Sequence, residues 1–296
     1  MADAYRYSLS VKSDRSDELV NTYVLRPIAG LLVRALYRTP VTPNQVTVAA
    51  IIAGLVAAIL YARGTATAVV AAGLFITLKD LLDSADGQLA RAKQLYSRRG
   101  RFLDSIGDFA VDAAVFAAIG WTLERWNVLP VPWVFALLAF AGITLRVSYH
   151  VFYQASFLHL GGAYEKNRII EEITEADLRG DRVALGLQRI FVVIYGWQDR
   201  LMLRIDAWCS GGNSGEAFRH SWYGDATALR LSGFLGFGTE LLLLTVCSVL
   251  NELRLYVILN LVLMNGIFVC SILYRRFVLR RRISSSGGTS EADGIV

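Results

Sequence analysis

Asp83-Ser84-Ala85-Asp86-Gly87-Gln88-Leu89-Ala90-Arg91, followed by Gly100, Asp104 and Asp108, is the stretch on which the reading of this chain turns. It lies in a sequence of 296 residues that is 54% hydrophobic and 19% charged, with a mean hydropathy of +0.43. Asp83 and Asp86 share a helix face at i,i+3, and Asp104 and Asp108 share one at i,i+4. An ionised Asp at the centre of a membrane helix costs about 2.5–3.5 kcal/mol on the insertion scale. Four of them at helical spacing need compensation, and a divalent cation supplies it most directly.

The composition excludes several classes. A soluble domain of this length carries more charge and more proline than the five here. The net charge of +5 comes from arginine clusters beside apolar blocks. That placement fits positive-inside topology and anionic headgroups rather than nucleic acid. Cys209, Cys247 and Cys270 are odd in number and lack CxxC spacing, so no disulfide framework or zinc site is expected. Residues 1–17 form a polar tail without the hydrophobic core of a signal peptide.

Apolar blocks of about 20 residues are long enough to cross a bilayer. The expected architecture is an all-α integral membrane protein with six transmembrane helices. Residues 18–39 read as an interfacial amphipathic helix, with Arg26, Arg34 and Arg38 between apolar positions. Spans 1–4 fall within 40–158 and spans 5 and 6 within 226–277, joined by a tight Asn251-Glu252 turn. Residues 159–225 are expected to be a cytosolic or interfacial helical insertion. Within it, 165–181 reads as a solvated helix and 183–208 as a helix in the interface. Residues 278–296 are a basic and then disordered tail. Arg91, Lys93, Arg98, Arg99 and Arg101 between spans 2 and 3, with the arginines after span 6, put both termini in the cytoplasm.

On this layout span 2 descends and span 3 rises, so all four carboxylates reach one depth at the cytosolic edge of the bilayer. Hard oxygen ligands of this kind suit Mg²⁺ or Mn²⁺, and two such ions stabilise both sides of an in-line displacement at phosphorus. Gly87 and Ala90 clear one helix face beside the acids, and Arg91 offers a fork for phosphate.

The pattern D-x2-D-G-x2-A-R-x8-G-x3-D-x3-D resembles the signature of the CDP-alcohol phosphotransferases at every fixed position. Thr42-Pro43-Asn44-Gln45-Val46-Thr47 is similar to a segment that these enzymes often place before the first span. The resemblance implies that Asp83, Asp86, Asp104 and Asp108 hold two divalent ions and that Asp108 is also the general base. It implies a nucleotide site at Asn44, Thr47, Gly87, Ala90, Arg91, Ser97 and Gly100. The partners implied are a CDP-linked donor, an alcohol acceptor and the lipid bilayer, with pairing into a homodimer and no nucleic acid. The reaction implied is transfer of a substituted phosphate group with release of CMP in phospholipid synthesis. The 160–225 insertion is not expected to belong to the family's common core.

The acceptor stays open. The Arg26-Pro27 to Asn44-Gln45 run is similar to family members that use inositol-type phosphates, which favours a polyol or polyol-phosphate acceptor. A CDP-choline or CDP-ethanolamine type headgroup transferase is the alternative, and a non-enzymatic transporter with an acidic cation site is the remote one. Outside the signature, Lys79 and Asp112 are expected at similar height. They read as an ion pair roofing the site, or else Lys79 faces the cavity and binds an acceptor phosphate. Arg146, an intramembrane cation, is the other candidate acceptor contact.

Overall fold

A computed structural model describes Tyr7, Glu18, residues 20–162 and residues 170–289, with side chains as far as 285. Most of the polar N-terminal tail, part of the 165–181 stretch and residues 290–296 lie outside the described residues. Among the described residues the chain is helical, with no strand.

Local chemistry sets the helix ends. After a π-helical turn at Asn21–Leu25, α1 (Arg26–Leu36) lays Ala29 and Val33 on Ala85 and Leu89 and leaves Ile28 and Leu31 exposed. α2 (Pro43–Arg63) starts with a capping box. Thr42 accepts from Gln45 N, and the Gln45 side chain accepts from Thr42 N at 2.8 Å. It stops at Gly64, whose φ of 68° suits glycine. α3 (Ala66–Lys93) is capped by Thr65, and α4 (Arg98–Trp126) by Ser97, whose Oγ accepts from Gly100 N at 3.1 Å. α5 (Pro132–Leu160) follows.

Small residues and buried hydroxyls let these helices approach closely, as lipid-embedded helices require. Ala50, Ala53, Gly54 and Ala57 are buried along α2. A Cβ at Gly54 would strike Val111 of α4, and one at Gly107 would strike Ile51. Thr122 Oγ1 donates to Tyr61 O at 2.5 Å, and the Tyr61 and Ser248 hydroxyls lie 2.6 Å apart.

The insertion holds a short α6 (Glu175–Arg179), a long α7 (Arg182–Ser210) and α8 (Glu216–Tyr223). The expected 165–181 helix is therefore reduced to Glu175–Arg179 among the described residues. Residues 171–174 form no helix; the Glu171 carboxylate accepts from Arg101 of α4 and Gln188 of α7 instead, and Gln188 also donates to Glu172 O. α7 packs on α4: Phe191 meets Phe102 at 5.4 Å between ring centres, and Tyr195 OH donates to Ser105 O at 2.7 Å. Asp206 at its end accepts from Tyr153 OH, Trp222 Nε1 and Tyr223 OH at 2.8–2.9 Å.

The fifth expected span is two helices, α9 (Ala226–Gly233) and α10 (Phe237–Val249), broken at 234–236. The last helical rod joins α11 (Leu253–Leu259), a π turn at Asn260–Met264, α12 (Asn265–Leu273), a second π turn at Tyr274–Leu279 and α13 (Arg280–Thr289). The tail expected to be disordered after Arg282 is thus helical to Thr289. Its arginines find anchors: Arg276 stacks on Trp208 at 4.7 Å, and Arg282 pairs with Asp225.

Among the described residues four helical segments are long and apolar enough to cross a membrane: Pro43–Arg63, Pro132–Leu160, Ala226–Val249 with its break, and Leu253–Ser285. α3 and α4, with 28 and 29 residues, are long enough. Their acids and arginines keep them below that apolarity, so four spans stand on composition rather than the six expected.

Arg146, expected as a candidate acceptor contact, has its partners inside the bundle. It is fully buried, and its Nη2 donates to Glu240 Oε2 at 2.9 Å while Nη1 donates to Asn265 Oδ1 at 2.5 Å and Asn260 O at 3.2 Å. A guanidinium committed to a buried carboxylate ties α5, α10 and the last rod together. Breaking one side of such a pair typically costs about 3–5 kcal/mol. Arg146→Met should markedly lower the melting temperature in detergent, and Arg146→Met/Glu240→Gln should recover most of the loss. Equal melting of the single variant and the native protein would refute this tie.

Candidate active site

α2 acts as a wedge. It packs along both α3 and α4, while those two make little contact with each other. The gap that this leaves between the C-terminal half of α3 and the N-terminal half of α4, where the signature acids of both helices meet, is the cleft of the site. Asp83, Asp104 and Asp108 each present a carboxylate oxygen, all within 4.8 Å of one another. Asp86 is buried on the adjoining face and accepts from Thr47 Oγ1 at 2.5 Å. The structure thus gathers three of the four expected ligands, while the fourth, also on α3, is held by a hydroxyl of α2.

The expected roof is different. Lys79, 1% exposed, pairs with Asp108, with Nζ 2.5 Å from Oδ1, and not with Asp112. The reason is electrostatic. Asp108 lies beside Asp83 and Asp104, so the ammonium gains more there than at Asp112, one turn deeper. Phe237 of α10 presents its ring to the ammonium at 5.5 Å. Asp80, also buried, completes the acids around it and was not singled out from the sequence. The i,i+3 run Asp80–Asp83–Asp86 was the signal available.

The expected nucleotide residues lie on the first turns of α2, the last turns of α3 and the start of α4. Asn44 lies against Gly100 so closely that a Cβ there would strike its Oδ1, which ties the start of α2 to the start of α4. The Arg91 guanidinium folds back over Gly87, with Nη1 at 3.4 Å from where a Cβ would be. Ser97 is the α4 cap. Thr47 reaches Asp86, and Ala90 is half-buried on α3.

The rim arginines are not free positive charges. Arg98 pairs with Asp177, Arg99 with Asp181, and Arg101 with Glu171 at 2.8 Å. Gln188, buried on α7, donates to Glu171 Oε1 at 2.9 Å and Glu172 O at 3.2 Å. Residues 171–181 are strapped across the first turn of α4 through these contacts.

Clustered carboxylate oxygens without nitrogen or sulfur donors match Mg²⁺ or Mn²⁺ chemistry. One lysine among Asp80, Asp83, Asp86, Asp104, Asp108 and Asp112 leaves an excess of acid that a divalent cation would neutralise. The residues present fit such an ion.

The profile of the CDP-alcohol phosphatidyltransferases matches residues 40–205, more than half of the chain. The chain belongs to this family. The match runs through the cleft and on into the insertion as far as 205, so most of the segment expected to lie outside the family core is inside it. A bifunctional IPC transferase and DIPP synthase of Aquifex aeolicus is 35% identical over 98 residues, 33% of this chain and 22% of its own length. One of the same name from Thermococcus kodakarensis is 36% identical over 110 residues, 37% and 23% of the two chains. An archaetidylinositol phosphate synthase of Pyrococcus horikoshii is 36% identical over 90 residues, 30% of this chain and 46% of that one. The matched stretches span less than half of these relatives.

The strap gives a test outside the bundle. Its hydrogen bond from Arg98, with that from Thr174 N, holds the Asp177 carboxyl below the usual carboxylate range, and Arg99 does the same for Asp181. With a lowered folded value, the attachment is complete above the ordinary value of about 3.9 and is lost as pH falls through the folded one. Acidity down to pH 5 should leave it shut. Salt should open it, since these arginines are more than half exposed and screening reaches about 3 Å at 1 M. Hydrogen exchange across 171–181 is expected to accelerate in 1 M NaCl and stay flat from pH 8 to 5 after correction for intrinsic rates. Acceleration at pH 5 in low salt would contradict the assignment.

Proposed function

We propose that this family member transfers a substituted phosphate group from a CDP-linked lipid donor to the hydroxyl of a polyol phosphate, releasing CMP. The observation that carries the reading is the meeting of Asp83, Asp104 and Asp108 in one cleft, from two helices, with every signature position filled. Asp83, Asp86, Asp104 and Asp108 would hold the divalent ions. When bound, these would offset the charge that develops on the transferring phosphate.

The chain's own groups then have definite tasks. Asn44, Thr47, Gly87, Ala90, Arg91, Ser97 and Gly100 would form the nucleotide site. Glycine at 87 and 100 leaves room for a close approach, and Arg91 supplies a planar fork for the pyrophosphate. Asp108 would take the proton of the acceptor hydroxyl. The hydroxyl oxygen bonds to the phosphorus distal to cytidine. The bond from that phosphorus to the bridging oxygen breaks, and CMP departs with the electron pair. The apolar bundle around the cleft excludes bulk water, which would otherwise compete as acceptor.

α3 and α4 complete a six-span topology in this reading, with the cleft mouth and both termini on the cytoplasmic side. That places the site where a water-soluble polyol phosphate and a membrane-held donor meet. The relatives support the acceptor class, since the Pyrococcus protein is named for an inositol phosphate product. Arg146, tied to Glu240, and Lys79, tied to Asp108, are not part of the acceptor site.

The test is CMP release by the purified full-length chain with Mg²⁺ or Mn²⁺. CDP-diacylglycerol and related CDP-lipids are the donors, and inositol phosphate, inositol, glycerol phosphate and serine are the acceptors. Turnover is expected with a polyol phosphate. Asp104→Asn and Asp108→Asn should each lose at least about 10³-fold in kcat while remaining folded, a loss of about 4 kcal/mol in transition-state stabilisation. CMP release only from CDP-choline or CDP-ethanolamine with diacylglycerol would shift the reading to headgroup transfer. No release with any donor would end it.

A further inference from the structure

Lys79 is the most constrained charged group without a task in this chemistry. It lies on α3 one turn before Asp83, is 1% exposed, and places Nζ 2.5 Å from Asp108 Oδ1. Asp83, Asp112 and Asp80 are its other charged neighbours, and the Phe237 ring lies 5.5 Å away. Two features together are informative. Asp108 closes the group of three carboxylates able to hold a cation. The same carboxylate anchors the lysine. One oxygen pair thus faces both a tethered cation and the position of a divalent one.

A purely structural ion pair would not need this partner. Asp112 lies one turn deeper on α4, away from the group of three, and would balance the ammonium without touching a ligand. The structure instead sets Lys79 on the one acid that completes the cluster. We propose that Lys79 is a built-in counter-ion that competes with the second divalent ion for Asp108. Without that ion, the ammonium balances Asp108 and keeps the acids from repelling one another apart. As the ion enters, the ammonium yields the carboxylate oxygen and moves toward Asp80 and Asp112, which accept its charge. The first ion, which would be held without Asp108 by Asp83, Asp86 and Asp104, would be affected less. Lys79 would thereby weaken the second site and make its filling depend on the donor, whose phosphates add negative charge.

This inference rests on the metal-dependent reading above, and metal binding measured without substrate separates the two. The full-length protein in detergent is titrated with Mn²⁺ alone by calorimetry, with free Mn²⁺ followed by electron paramagnetic resonance. The native chain is expected to bind one Mn²⁺ tightly and a second weakly. In Lys79→Met the weak site should tighten about tenfold or more, because a nearby like charge is removed from a low-dielectric cleft. The tight site should move less. Lys79→Arg retains the charge and should resemble the native protein. The Mn²⁺ concentration giving half-maximal CMP release should fall in parallel in Lys79→Met.

Should Lys79→Met not fold, Lys79→Met/Asp112→Asn keeps the buried charge balance and is expected to show the same tightening. Unchanged Mn²⁺ affinities in whichever of these variants folds overturn the proposal and leave the metal-dependent reading standing. Tightening in Lys79→Arg equal to that in Lys79→Met would also overturn it, since a charge effect would not be responsible. If neither the native chain nor the variants bind Mn²⁺, the metal-dependent reading falls and the proposal falls with it.

Discussion

Charge buried in an apolar helix bundle must be matched nearby, and the rest of this structure follows from how that is done. Arg146 is matched by Glu240, Lys79 by Asp108, and Asp206 by three donors from tyrosine and tryptophan. Asp86 takes a hydroxyl from Thr47. Each match joins different helices, so the polar pairs also serve as helix ties. The cluster of Asp83, Asp104 and Asp108 is different. It gathers acids faster than the single lysine can balance them, and it does so in a cleft. This excess of acid at one spot is what the proposed function would assign to a divalent cation.

The cleft itself is a packing consequence. α2 is narrow along its buried face because Ala50, Ala53, Gly54 and Ala57 line it. Its neighbours can each sit close to it without meeting each other. Gly107 and Gly54 set the α2–α4 distance through Ile51 and Val111, and Gly100 sets it again at the rim through Asn44. Substituting bulk at these points would push α4 outward and spread the carboxylates. The geometry of the acids therefore depends on residues that never touch them.

Much of the site was legible because helical spacing is a strict rule. An i,i+3 pair on one helix and an i,i+4 pair on the next must each share a face, and the short connection between α3 and α4 sets their depth. Partner choice was not legible. The expected Lys79–Asp112 pair came from matching heights along two rods, whereas the actual pair with Asp108 depends on the summed potential of acids from both helices. Arg146 looked like a free cation since Glu240 lies 94 residues away in sequence and nothing local links them. The strap was hidden for a similar reason. Its acids resembled a solvated helix until the first turn of α4 supplied arginines for them. The broken fifth span is marked in sequence by Gly233, Gly236 and Gly238, a signal that its apolar content obscures.

The strap changes how the rim of the cleft should be understood electrostatically. Arg98, Arg99 and Arg101 would, if unpaired, form a broad basic patch able to trap any phosphate at the mouth. Pairing with Asp177, Asp181 and Glu171 removes most of that attraction. Within the signature, Arg91 is then the guanidinium that lies over the glycine-cleared face of α3. Under the proposed function, selectivity among anions would fall to geometry, where a planar fork and bound divalent ions must be met at once, rather than to net charge. In that reading, a pyrophosphate with a flat base at one end and a lipid at the other would satisfy both, and a simple phosphate only one.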